Sequence, residues 1–204
     1  MSCNCEFIKT KELTKVDYKK DNIYYLYDYY KKWWMDNYPT KQYYRDNFFS
    51  FIMLKKDNYE SRKSSLHFHA AAKNFIDLLE GDWIVCTAPG HEKTTNTHNA
   101  VCGIIEDIDY GSNISLRNTL IQRAFTVDKK SQSSNRVMNP DEDIKSLTLD
   151  ISVNISGKNV LVIDDITTTG CTLTSCRNLL LKNGAKNVVC LAFGKTKEYI
   201  FYGC

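Results

Sequence analysis

Between Val160 and Phe193 an apolar run, a run of helical period and a second apolar run follow one another with few spare residues. Val160–Ile163 reads as a buried strand, Thr172–Asn183 as a helix closed by Gly184, and Val188–Phe193 as another buried strand. Two strands joined through one helix run parallel, and a parallel sheet needs helices on its faces. The rest of the chain from about Ser61 agrees. Phe68, Ala72, Phe75, Ile76 and Leu79 fall at helical spacing before Gly81, and Trp83–Thr87 is a short buried strand. Asn96–Ile108 predicts a helix with Val101, Ile104, Ile105 and Ile108 inward, and Ser115–Phe125 predicts another. Lys129–Asp143 lacks periodicity and is expected to be a long mobile loop, while alternation of Leu147, Leu149, Ile151 and Val153 predicts a strand. The expected fold is α/β: a mainly parallel sheet with helices on both faces, preceded by an aromatic-rich N-terminal extension or hood.

That extension is the one region of different character. Ten of the thirteen tyrosines precede residue 60, together with Trp33 and Trp34, and lysines and asparagines lie between them. The organisation expected is an aromatic segment or hood over 1–60 and an α/β domain over 61–204. Aromatic rings interleaved with cations suit stacking on single-stranded nucleic acid. The plainer expectation is a helix and then a hairpin, with Phe48–Leu54 as a short strand, packed on the rest of the protein or on a second copy. A formal net charge of +3 on 204 residues, with 25% charged residues, does not demand nucleic acid or membrane as a partner. Met1–Lys20 is polar and charged, no apolar run is long enough to span a bilayer, and the expected location is the cytoplasm. The eight cysteines are then expected to be reduced thiols. Cys3 and Cys5 lack the second pair that a zinc site needs, and His67 and His69, two apart on a helix, do not share a face.

The chemistry concentrates where the first strand of the Val160–Phe193 unit meets its helix, in VLVIDDITTTGCTL, Val160–Leu173. Ligands of parallel sheets bind beyond the carboxyl ends of the strands, which is where Asp164 and Asp165 are delivered. Two adjacent carboxylates can grip a vicinal diol or hold a hydrated Mg²⁺. Thr167, Thr168, Thr169, Gly170, Cys171 and Thr172 then form a loop that opens a helix. Its amides and dipole favour an anion, hydroxyls add donors, and Gly170 allows close backbone approach. A diol grip beside a phosphate cup is a template for a ribose 5-phosphate. The glycine patterns of Walker and dinucleotide-binding loops are absent.

This stretch resembles the 5-phosphoribosyl 1-pyrophosphate (PRPP) binding motif of the type I phosphoribosyltransferases: a hydrophobic strand, two acids, two further positions and Thr-Thr-Gly-x-Thr. Thr167 departs from it, standing where an aliphatic residue is usual. The lead-in, with the helix up to Leu79 and DWIVCTAPG, and the stretch RAFTVDKKSQSSNR, Arg123–Arg136, resemble the ComF-like branch of that family. The likeness spans roughly Phe48–Thr196. It implies that Ala88, Pro89 and Gly90, with His91 after them, receive the pyrophosphate, and that Lys129, Lys130 and Arg136 close over it. Cys171 is expected to be a spacer. The zinc ribbon common at the start of ComF-like proteins is missing.

What the resemblance implies is displacement of pyrophosphate from PRPP by a nitrogen nucleophile, a nucleobase or an amine. Asp164 and Asp165 would hold the ribose hydroxyls, one of them also stabilising the cationic sugar, and Mg²⁺ would be held mainly by PRPP, with no direct protein ligand. A homodimer is allowed, with the aromatic surface as its interface. Two alternatives stand beside the transferase: a PRPP- or nucleotide-binding regulatory or phage-defence effector module with this fold, and a nucleic-acid-binding protein that uses the Tyr/Trp-rich segment.

Overall fold

A computed structural model describes residues 14–16, 23–29, 60–91, 93, 100–106, 108–127 and 139–196. The strands are β1 (Thr14–Val16), β2 (Ile23–Tyr29), β3 (Trp83–Thr87), β4 (Ile114–Leu116), β5 (Ile121–Arg123), β6 (Leu147–Leu149), β7 (Asn159–Thr167) and β8 (Asn187–Thr196). The helices are α1 (Glu60–Ile76), α2 (Ala100–Glu106), α3 (Pro140–Asp143) and α4 (Cys171–Lys182), with a 3₁₀ turn at Ile144–Ser146. Six strands form the main sheet in the order β1-β2-β8-β7-β3-β4, and β5 and β6 form a separate antiparallel ribbon. All neighbours in the main sheet are parallel except β1 and β2.

Helices cover both faces, as expected. On one, Leu173, Cys176 and Leu180 of α4 pack on Cys86, Val160, Val162 and Cys190. On the other, Phe68, Phe75 and Ile76 of α1 and Val101 and Ile105 of α2 pack on Val85, Leu161, Ile163 and Phe193. The Phe68 and Phe193 rings stack with centroids 5.2 Å apart. Because β7 is covered on both faces, its apolar run is continuous rather than alternating. Cys86 and Cys176 are fully buried free thiols, and burial pushes both pKa values well above the usual range.

Several elements differ from the sequence expectation for identifiable reasons. Ser115–Phe125 is not a helix: Ile114–Leu116 pairs with Trp83–Val85, and Ile121, Gln122 and Arg123 alternate buried, exposed, buried. A waiting strand partner overrides a short run that fits either period. The expected strand through Val153 stops at Leu149, because Asp150 Oδ1 accepts bonds from the Ser152 amide (2.9 Å) and hydroxyl (2.7 Å) and turns the chain, leaving Ile151 98% exposed. The end of the expected loop is α3. Asn139 caps it by accepting the Asp141 amide at 3.0 Å, Pro140 occupies the first turn, and three acids follow.

The aromatic segment also begins differently. Ile23–Tyr29 is a strand rather than a helix, joined in parallel to Cys190–Thr196, so a piece from the aromatic side of residue 60 lies within the main sheet. Tyr24 packs against Phe75 of α1, ring centroids 5.8 Å apart. Phe48–Leu54, Trp33, Trp34, Cys3 and Cys5 lie outside the described residues.

The stacked Phe193 side chain is fully buried between β8 and α1. Phe193→Ala is expected to destabilise the fold by about 3–5 kcal/mol, read from the midpoint of a denaturant unfolding curve.

Candidate functional site

The two crossovers fix where a ligand can enter. From β3 the chain passes through α2 to β4, and from β7 it passes through α4 to β8. Since β3 and β7 are neighbours, these crossovers leave in opposite directions, with α2 on one face and α4 on the other. The crevice beyond the carboxyl ends of β3 and β7 is therefore the switch point of the sheet, where such folds bind ligands. A cavity of about 350 Å³ lies there. Ala88, Pro89, Gly90 and His91 line it from the β3 side and Asp164–Thr172 from the β7 side, with Val101 of α2 contributing an apolar wall. Two sequence stretches some 75 residues apart, each expected to contact the same ligand, thus share one cavity.

β7 does not stop at Ile163 but carries both aspartates as far as Thr167, with Asp164 paired to Ala192 and Thr167 to Lys195. Both acids are half-buried and line the cavity. Each turns one carboxylate oxygen back onto the chain: Asp164 Oδ1 accepts the Asp165 amide at 2.9 Å, and Asp165 Oδ1 accepts the Ile166 amide at 2.7 Å. Such bonds fix the direction of each carboxylate.

Gly170 then turns the chain into α4. Its φ of +78° is the left-handed region, which glycine adopts without the penalty other residues meet. Glycine has no side chain to cap the helix, and Thr169 substitutes, its Oγ1 accepting the Cys171 amide at 3.3 Å. Thr168 is held from the sheet side, its hydroxyl 2.9 Å from that of Thr196 and its carbonyl accepting from Lys195 Nζ. Thr167 is buried at the end of β7, and Cys171 is buried in the first turn of α4. The first turn of a twelve-residue helix, with hydroxyls beside it, has the chemistry to hold an anion.

The loop after β3 is anchored from outside the cavity. Ala88 N donates to Ile163 O at 2.8 Å, and the His91 carbonyl accepts Val127 N at 2.8 Å. Arg123 Nε donates to the Gly90 carbonyl at 2.9 Å. Lys129, Lys130 and Arg136 lie outside the described residues. Sequence reasoning missed Arg123 and its partner Asp143, because nothing in the sequence couples an arginine in a strand to an acid 20 residues on. It also missed Tyr29, which ends β2 on the same edge of the sheet. Burial raises the Tyr29 pKa, and the nearby Asp165 charge raises it further, so the phenol stays protonated and able to donate.

No protein-family model and no curated protein matches the chain. Among solved structures, it is similar to a hypoxanthine-guanine phosphoribosyltransferase from Bacillus anthracis, at 21% identity and a TM-score of 0.40, over 67% of this chain and 70% of that one. It is also similar to a hypoxanthine phosphoribosyltransferase from Staphylococcus aureus in two crystal forms. These are 16% and 17% identical, with TM-scores of 0.38 and 0.36, over 64% of this chain and 70% of theirs. Scores and identities this low leave the chemistry of the site to its own geometry.

Gly170→Ala is expected to cost about 1–2 kcal/mol through its left-handed backbone. The test is a lowered thermal midpoint, with an unchanged midpoint for alanine at Gly90, whose φ lies outside that region and whose added methyl would meet open space.

Proposed function

We propose that the cavity binds PRPP and that the protein transfers its phosphoribosyl group to a nitrogen nucleophile, releasing pyrophosphate. The observation that carries this reading is the shared cavity: the two acids, the Thr-Gly-Cys-Thr turn and the Ala88–His91 loop meet at the switch point. PRPP has three parts that such a site would recognise separately. The 5-phosphate fits the turn at Thr168–Thr172, where helix amides and hydroxyls converge. The ribose diol fits Asp164 and Asp165, whose directions are fixed by the backbone. The pyrophosphate fits the loop at Ala88–His91.

In this reading the bond from the anomeric carbon to the pyrophosphate oxygen breaks, taking its electron pair with it. The lone pair of the incoming nitrogen forms the new bond, and the nitrogen then gives up its proton. Positive charge develops on the sugar between these events, and Asp164 or Asp165 is placed to stabilise it. Among the described residues no three His, Cys, Asp or Glu side chains gather into a metal cage. Two carboxylates at a cavity suit a hydrated hard cation held mainly by its ligand, so the donor set fits Mg²⁺ in that role. When bound, Mg²⁺ would offset charge on the leaving pyrophosphate. Among the described residues no helix is long and apolar enough to cross a membrane.

Titration calorimetry with PRPP and Mg²⁺ tests the reading. The wild-type chain is expected to bind, and Asp164→Asn/Asp165→Asn to weaken binding by at least about tenfold, the loss of one charge-assisted hydrogen bond or more. No binding by folded wild type would sink the proposal. Pyrophosphate release is then measured across a panel of nucleobases and amines. Release with one of them supports transfer, whereas binding without release by any would make the chain a PRPP-binding module instead.

A further inference from the structure

The ion pair of Arg123 and Asp143 is buried beside the cavity. The two side chains are 1% and 4% exposed, with Nη1 2.8 Å from Asp143 Oδ1. Nη1 also donates to Ser146 Oγ, which in turn donates to the Asp143 carbonyl at 2.6 Å. The Nε of the same guanidinium reaches the Gly90 carbonyl at 2.9 Å. On the other side, α3, which carries Asp143, is tied to the phosphate turn. Ser175, fully buried in α4, places its hydroxyl 3.2 Å from the Pro140 carbonyl and 2.8 Å from the Cys171 carbonyl. A relay of hydrogen-bonded groups therefore runs from Gly90 through Arg123, Asp143, α3 and Ser175 to Cys171. Its two ends are the two loops that line the cavity.

Stability does not account for such a pair. Replacing a buried ion pair with apolar side chains of similar volume is often neutral or favourable, because desolvation offsets the attraction. Here Arg123 Nη2 and Asp143 Oδ2 are also buried without a hydrogen-bond partner among the described residues, a further cost. What a planar guanidinium does provide is direction, since its donors leave at fixed angles. The consequence at Gly90 follows from the trans peptide, in which C=O and the following N–H point opposite ways. With the Gly90 carbonyl held toward Arg123, the His91 amide is turned away from it. Arg123 is not among the residues lining the cavity, whereas Gly90 and His91 are.

We propose that Arg123 and Asp143 are positioning residues that orient the Gly90–His91 peptide for an anionic group and hold that loop at a set distance from the phosphate turn. The proposal rests on the PRPP reading, and within it the group is the diphosphate. The pair never touches the ligand, and it sets affinity at one end of the ligand only.

The experiment compares three probes, each with Mg²⁺, on the full chain: PRPP, inorganic pyrophosphate and ribose 5-phosphate. Arg123→Lys keeps the charge but loses the fork, and Asp143→Asn keeps the shape but loses the charge. Both are expected to weaken PRPP and pyrophosphate by about tenfold, while ribose 5-phosphate changes by less than about twofold. The double variant is expected to lose little more than either alone, as residues of one network do. If Arg123→Lys does not fold, the nearly isosteric Asp143→Asn decides by the same pattern. Equal weakening of all three probes, or of none, would overturn the proposal while leaving the PRPP reading intact. A wild-type chain that binds none of them would overturn both.

Discussion

Backbone pairing of Asn159–Ile163 with Trp83–Thr87 on one side and Asn187–Leu191 on the other creates a sheet centre with no exposed face. α4 covers one side of it and α1 and α2 the other. Every further feature of the molecule follows from where these three parallel strands end. Their carboxyl ends share an edge, their crossovers diverge, and the crevice between β3 and β7 opens there. The apolar centre is rigid, and the polar residues immediately after it inherit that rigidity. Asp164 and Asp165 sit within β7 itself, so their placement is set by ladder hydrogen bonds rather than by a loop.

The parts of this arrangement that were legible in the sequence are those in which one local pattern decides one element. WIVCT, the helix from Cys171 and the strand ending at Phe193 have unmistakable periods or continuous apolarity, with Gly81 and Gly184 as stops in the left-handed region. The acids and threonines that line the cavity were equally legible, because they stand in consecutive residues at the end of one strand. Short elements were not. Leu116, Leu120 and Ile121 satisfy a helical spacing, yet two separate sheets claim Ile114–Leu116 and Ile121–Arg123. The cap signal of Asn139-Pro140 was present but lay inside a polar run that drew attention to its loop character.

Long-range polar pairing was the least legible. Arg123, Asp143 and Ser146 become a buried group only through the β5–β6 ribbon, which brings Arg123 opposite Leu147. The same ribbon carries the backbone bond from Ala124 N to Ser146 O at 2.8 Å, so the guanidinium is approached by its partners from a scaffold already in register. A small two-stranded piece outside the main sheet thereby joins the loop after β3 to the turn before α4. The main sheet supplies the platform, and the ribbon links the two rims of the cavity.

Cys86 of β3 and Cys176 of α4 pack together in the interior on the α4 side of the sheet. Burial disfavours their thiolates, the reactive form, and neither sulfur meets solvent. A thiol reagent therefore reaches them only when α4 lifts from the sheet. α4 also holds the turn at Gly170–Thr172, so each such opening dismantles that wall of the cavity at the same moment. The labelling rate of these two sulfurs is then a clock for the lifetime of the assembled cavity, and any ligand seated in it slows that clock.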